Sequence, residues 1–178
     1  MSFNLPLLRQ GLLGLLISSL WWFPVQATEL ADTVDKVKAS IVAVGTVQPA
    51  RRPPATFQAT GIVVGQRRQV ISNAHALPDF LDTPNQERLA VFIGQGRQFE
   101  SRPAKKIATD FAHDLALLEF DGVPLPALRL GESRQVREGQ AIAFTGFPLG
   151  VVLGLFPVTH AGIISAISPV AIPVPAAG

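Results

Sequence analysis

Between residues 28 and 167 short apolar runs alternate with turn-forming residues, and the spacing inside each run predicts what it builds. In Thr28–Lys38, Leu30, Val34 and Val37 recur at helical spacing, with acids early and lysines late. That pattern predicts one short helix whose charges suit its dipole. From Ser40 the runs become short, β-branched and partly alternating: Ser40–Val47, Phe57–Val64, Gln69–Asn73, Arg88–Gly94, Gln98–Ala108 and Leu115–Phe120 each predict a strand. Gly65-Gln-Arg-Arg68 has the length and composition of a hairpin turn, and Gly94-Gln-Gly96 reads as another. Between the first two strands, Arg51, Arg52, Pro53 and Pro54 forbid regular pairing and predict an exposed loop with solvated charges. At least six short strands with almost no helical pattern between them predict an all-β fold, an antiparallel β-barrel.

Downstream the rhythm changes. Asp121–Glu138 is turn-rich and charged, as a linker would be. Strand pattern resumes in Gln140–Phe147, breaks at Pro148-Leu-Gly150 and returns in Thr159–Ile167. Pro169, Pro173 and Pro175 then leave no room for another strand pair. Two or three strands cannot close a barrel, so the first barrel is expected complete and the second only begun. The expected division is a first barrel over 28–130, then a linker and the first strands of an incomplete second barrel over 131–178. The apolar run Val151-Val-Leu-Gly-Leu-Phe156 is expected to lie exposed, an aggregation hazard unless something covers it.

The first 27 residues have a different character. One arginine and no acid precede an apolar run from Gly11 to Phe23, and Val25-Gln26-Ala27 supplies small residues for cleavage before Thr28. These features predict a signal peptide over 1–27 and export, the run being short for a bilayer span. No membrane association is expected after cleavage. Fifteen basic against thirteen acidic residues give no electrostatic reason to expect nucleic-acid binding. With no cysteine, an exported domain must stand on its apolar core without disulfides.

Candidate chemistry sits at two strand ends. Val70-Ile-Ser-Asn-Ala-His-Ala-Leu77 delivers His75 just before the Pro78-Asp79 turn signal, so the ring stands on rigid backbone yet stays accessible. Asp114 stands at the mouth of Leu115–Phe120, where it could orient that ring. His113 is expected to be an exposed loop residue, and His160 to pack in, or face out from, its strand. No pair among the three histidines has short metal-ligand spacing, so no metal is expected. Gly94-Gln-Gly96 lacks the third glycine and following helix of a dinucleotide fingerprint, and no cofactor is expected.

Six fragments, taken in order, carry a resemblance. They are Thr60-Gly-Ile-Val-Val64, Val70–Leu77, Asp114-Leu-Ala-Leu-Leu118, Leu128-Arg-Leu-Gly-Glu-Ser133, Val136–Gly150 and Val158-Thr-His-Ala-Gly-Ile-Ile-Ser-Ala-Ile167. Together, over about residues 37–167, they resemble the trypsin-like serine proteases of the HtrA/Deg type. The resemblance implies that His75 is the general base and Asp114 the carboxylate that orients it. In such a triad a serine hydroxyl attacks only once a neutral imidazole accepts its proton, and a buried carboxylate fixes the ring tautomer. It also implies polypeptide substrates, a periplasmic location, no cofactor, and a homo-oligomer as one form the protein could take. The chain departs from the family at one point: no Gly-Asn-Ser-Gly-Gly motif or Gly-x-Ser-x-Gly follows, and neither Ser165 nor Ser168 has glycine neighbours for an oxyanion nest. No nucleophile is found in the chain. The leading expectation is therefore an exported serine endopeptidase truncated before its nucleophilic serine, inactive as given; the alternative is a catalytically inactive, protease-like binding module.

Overall fold

The computed structural model describes residues 27–148 and 154–168. Its elements are α1 (Ala27–Lys38), β1 (Ile41–Val47), β2 (Ala55–Val64), β3 (Gln69–Asn73), β4 (Arg88–Gln95), β5 (Gln98–Asp110), β6 (Leu115–Phe120), β7 (Ala141–Gly146) and β8 (Val158–Ile163). The chain divides into the units Met1–Asp32 and Thr33–Gly178, and all eight strands belong to the second. The expected signal peptide lies outside the described residues but for Ala27, as do the break at Leu149-Gly150 and the proline-rich tail from Pro169.

β1 to β6 form a closed antiparallel barrel in the order β1-β2-β3-β6-β5-β4. Closure comes from β1, which pairs with β2 along one edge and with β4 along the other. Because side chains alternate along a strand, one set turns inward. Val42, Val44, Val63, Val70, Leu89, Val91, Leu118 and Phe120 fill the interior, and Ala74 and Leu77, just beyond β3, complete it. The opposite faces of β1 and β4 carry a second apolar cluster of Ala43, Ala90 and Phe92. Phe57 and Phe99 meet the Phe92 ring edge-on, Phe57 at 4.7 Å between centroids.

Among the described residues β7 and β8 pair only with each other, forming a two-stranded ribbon. The predicted strand Thr159–Ile167 is corrected to Val158–Ile163. Its ladder stops because Gly139 and Gln140 take the last backbone bonds with Ile164, and beyond them the chain turns away at Arg137. The exposed run expected at Val151–Phe156 is corrected at Leu155. Residues 151–153 lie outside the described residues, but Leu155 is fully buried in the Phe92 cluster. It is held by a two-bond bridge to Gly96, which ends β4's turn. That approach needs glycine on both sides: Gly96 and Gly154 have φ of +64° and +82°, and a Cβ on Gly154 would lie 2.8 Å from the Gly96 carbonyl oxygen. Phe156, one residue on, remains exposed.

Three further expectations are revised. β4 runs on to Gln95, so Gly94 lies inside the strand pair and the turn falls at Gly96-Arg97. Part of the expected linker is tied down, since the Leu125 and Leu128 amides bond Arg67 and Val63 carbonyls while Leu125 and Ala127 cover the barrel core. Arg51, read as a solvated charge, instead bonds Glu87 at 2.8 Å and the hydroxyl of the buried Thr46 at 2.9 Å. The partner lies 36 positions away, brought close by β1–β4 pairing.

Candidate active site

β3 carries the chain to Asn73, and the next four residues are anchored at both ends: Ala74 and Leu77 are buried, and the Leu77 amide bonds the Ala74 carbonyl. His75 therefore projects between two fixed points, with its side chain three-quarters exposed. Across the barrel rim, Asp114 closes the connection from β5 to β6. Its backbone is left-handed, φ +55°, and its carbonyl accepts the Ala74 amide at 3.1 Å. β3 and β6 are neighbours in register Asn73↔Leu115, which brings residues 75 and 114 together.

The Asp114 carboxylate is satisfied from three directions. One oxygen accepts the His75 backbone amide at 2.9 Å. The other meets His75 Nδ1 at 2.6 Å and accepts the Asn73 side-chain amide at 2.9 Å. These donors favour the charged form, so the Asp114 carboxyl is held below its ordinary range, first by the His75 amide, then by Asn73 and the His75 ring. An ionised carboxylate can only accept, so Nδ1 carries the proton in this pair. In the neutral ring Nε2 then keeps its lone pair and can take a proton from a neighbouring hydroxyl.

The other titratable candidates fall elsewhere. His113 is exposed and pairs with Asp110 at 2.8 Å. His160 stacks on Phe144, rings 5.3 Å apart, beside a groove of about 230 Å³ also lined by Thr60, Gly146, Phe147, Pro148 and Val158. The Phe147 amide ties that groove to β2 by donating to the Thr60 hydroxyl at 2.9 Å. Ser165 and Ser168 are exposed, and among the described residues no serine hydroxyl is hydrogen-bonded to His75. Sequence reasoning missed Asn73 as a donor to Asp114. Its place two residues before His75 was a signal, but only the β3–β6 register brings its amide to the carboxylate.

Residues 59–176 match the family described as the trypsin-like peptidase domain. The chain belongs to that family. Within this peptidase family it is of the HtrA type. It is 29% identical over 151 residues to the serine protease HTR4 of Bos taurus, which covers 79% of this chain and 29% of that protein. It is 31% identical over 100 residues to a probable periplasmic serine endoprotease DegP-like of Pseudomonas fluorescens, covering 56% of this chain and 19% of the relative. The chain thus spans less than a third of the length of these curated relatives. The crystal structure of Deg5 shares the fold with a TM-score of 0.63 at 20% identity, covering 81% of this chain and 66% of Deg5.

Proposed function

We propose that this chain supplies the His–Asp half of an exported, periplasmic serine endopeptidase, with His75 as general base and then acid and Asp114 as its orienter. The carrying observation is the 2.6 Å contact from His75 Nδ1 to an Asp114 oxygen, with the ring otherwise exposed. In the reaction, Nε2 takes the proton of a serine hydroxyl as its oxygen attacks a peptide carbonyl, then returns that proton to the departing amine. The imidazolium formed between these steps is stabilised by Asp114. This reading needs a serine and oxyanion amides in addition to the residues given, since no serine among the described residues is hydrogen-bonded to His75. In this reading residues 1–27 are the signal peptide, 28–130 the barrel that carries the pair, and 131–178 the start of a second barrel. Substrates are polypeptides, as the names of the relatives suggest.

The coding DNA past the codon for Gly178, read in all three frames, should encode Gly-Asn-Ser-Gly-Gly within several dozen codons. Expressed with that extension, the protein should hydrolyse an unfolded polypeptide, and His75→Ala should lower kcat roughly a thousandfold or more. The 178-residue chain alone should take no fluorophosphonate label. Unrelated sequence after a clean stop would instead favour the inactive binding module, a reading supported by Leu155, with which the chain covers part of its own apolar surface.

A further inference from the structure

We propose that His113, acting through Asp110, is a positioning residue for Asp114. The inference rests on the reading of His75 and Asp114 as base and orienter. β5 and β6 close at the pair Asp110↔Leu115, so Phe111–Asp114 make the whole connection. Its last residue holds φ +55°, a left-handed state that Asp tolerates better than most residues but that still costs more than it would for glycine. The turn's own backbone bond, from the Asp114 amide to the Phe111 carbonyl, is long at 3.4 Å. What closes the turn is the Asp110 carboxylate, which accepts the His113 amide at 3.2 Å on one oxygen and meets His113 Nδ1 at 2.8 Å on the other. With β6 fixed, rotating Asp114 about its N–Cα bond out of the left-handed region would carry His113 as a whole away from Asp110 and strain both contacts. The His113 ring therefore latches the peptide that aims the Asp114 carboxylate at His75 and Asn73.

The latch repeats the site's own geometry. In each pair one carboxylate spans a histidine's backbone amide and its Nδ1. His113 is 74% exposed, so removing its ring costs no core packing, and any effect of the removal travels through the turn.

The test is amide hydrogen exchange on the 178-residue chain. His113→Ala should speed exchange of the His75 amide, which Asp114 holds, by about five- to tenfold, the worth of one net hydrogen bond. His113→Asn, whose side-chain amide can still donate to Asp110, should stay within about twofold of the original rate, and Asp110→Ala, which removes the acceptor of both bonds, should accelerate it at least as much as His113→Ala. The Val63 amide, bonded to Ser40 on the barrel, should not change in any of them. In the alanine variant the Asp114 carboxyl, followed by carbon-13 titration, should move up towards its ordinary range. An unchanged His75 rate in His113→Ala overturns the inference, as does an equal acceleration at Val63, which would report general loosening. Asp114→Ala separates the two readings: if it too leaves the His75 amide unaltered, the pairing of base and orienter falls along with the latch.

Discussion

β6 of the barrel and β7 of the ribbon have similar sequences, Leu-Ala-Leu-Leu-Glu-Phe and Ala-Ile-Ala-Phe-Thr-Gly, and opposite fates. In β6 every second residue is buried, while in β7 the first four residues are exposed and the last two only half-covered. The difference lies in partners. β6 is flanked by β3 and β5 and curls around a shared interior, whereas β7 has β8 alone. An alternating strand offers a face for burial, and only closure of the sheet takes that face out of water. The same contrast locates the site: His75 and Asp114 stand on the rim of the closed part, where buried neighbours fix their backbones.

Four substitutions press on this contrast, in falling order of effect. Phe92→Ala on the barrel should cost about 3–5 kcal/mol in urea unfolding, because it empties a fully buried aromatic site. A loss under about 1 kcal/mol would mean that the second cluster contributes little. Leu155→Ala asks on which side of the comparison that residue falls. Although it precedes the ribbon strand β8, it should behave as core and cost about 2–4 kcal/mol.

Glu87→Gln should cost about 1–2 kcal/mol near neutral pH by weakening the bonds to the Asp82 amide, Thr46 and Arg51. Its carboxyl is held below the ordinary value of 4.5, chiefly by the Asp82 amide, then by Thr46 and Arg51. A depressed carboxyl stabilises the fold in full above its unfolded value and loses that effect as pH falls through the folded one. The stability gap between the original and Glu87→Gln should therefore be constant above about pH 5 and narrow below about 4.5; a gap that widens in acid would contradict the assignment. Smallest of all, Phe144→Ala in the ribbon should shift stability by about 0.5 kcal/mol or less, since its ring is 61% exposed. A cost near that of Phe92 would show the ribbon to be covered in solution.

Local pattern made most of the fold legible. Each predicted strand exists, because period-two runs bounded by Gly and Pro turns carry their own instructions. The placement of His75 and Asp114 was legible through the resemblance, since order along the chain preserved what neither residue shows alone. Other features were hidden for physical reasons. Arg51 reads as a loop charge until β1 meets β4 and brings in Glu87. Leu155 and Phe156 are equally apolar neighbours, and nothing local says that the first is buried and the second exposed. The His113 latch depends on a left-handed Asp114, and although Asp tolerates that state better than most residues, its type alone does not say which turn residue adopts it.

The bridge between Gly96 and Leu155 also bears on how the protein is made. Phe120, which ends the last barrel strand, and Leu155 lie 35 positions apart. At a synthesis rate of about 5–20 residues per second, roughly two to seven seconds separate their appearance from the ribosome. Throughout that interval a nascent barrel would carry Ala43, Ala90 and Phe92 without their final cover, a small sticky window open to chaperones or to neighbouring chains. Slow translation between codons 120 and 155 would lengthen that exposure, so the timing of synthesis becomes part of how this fold is protected.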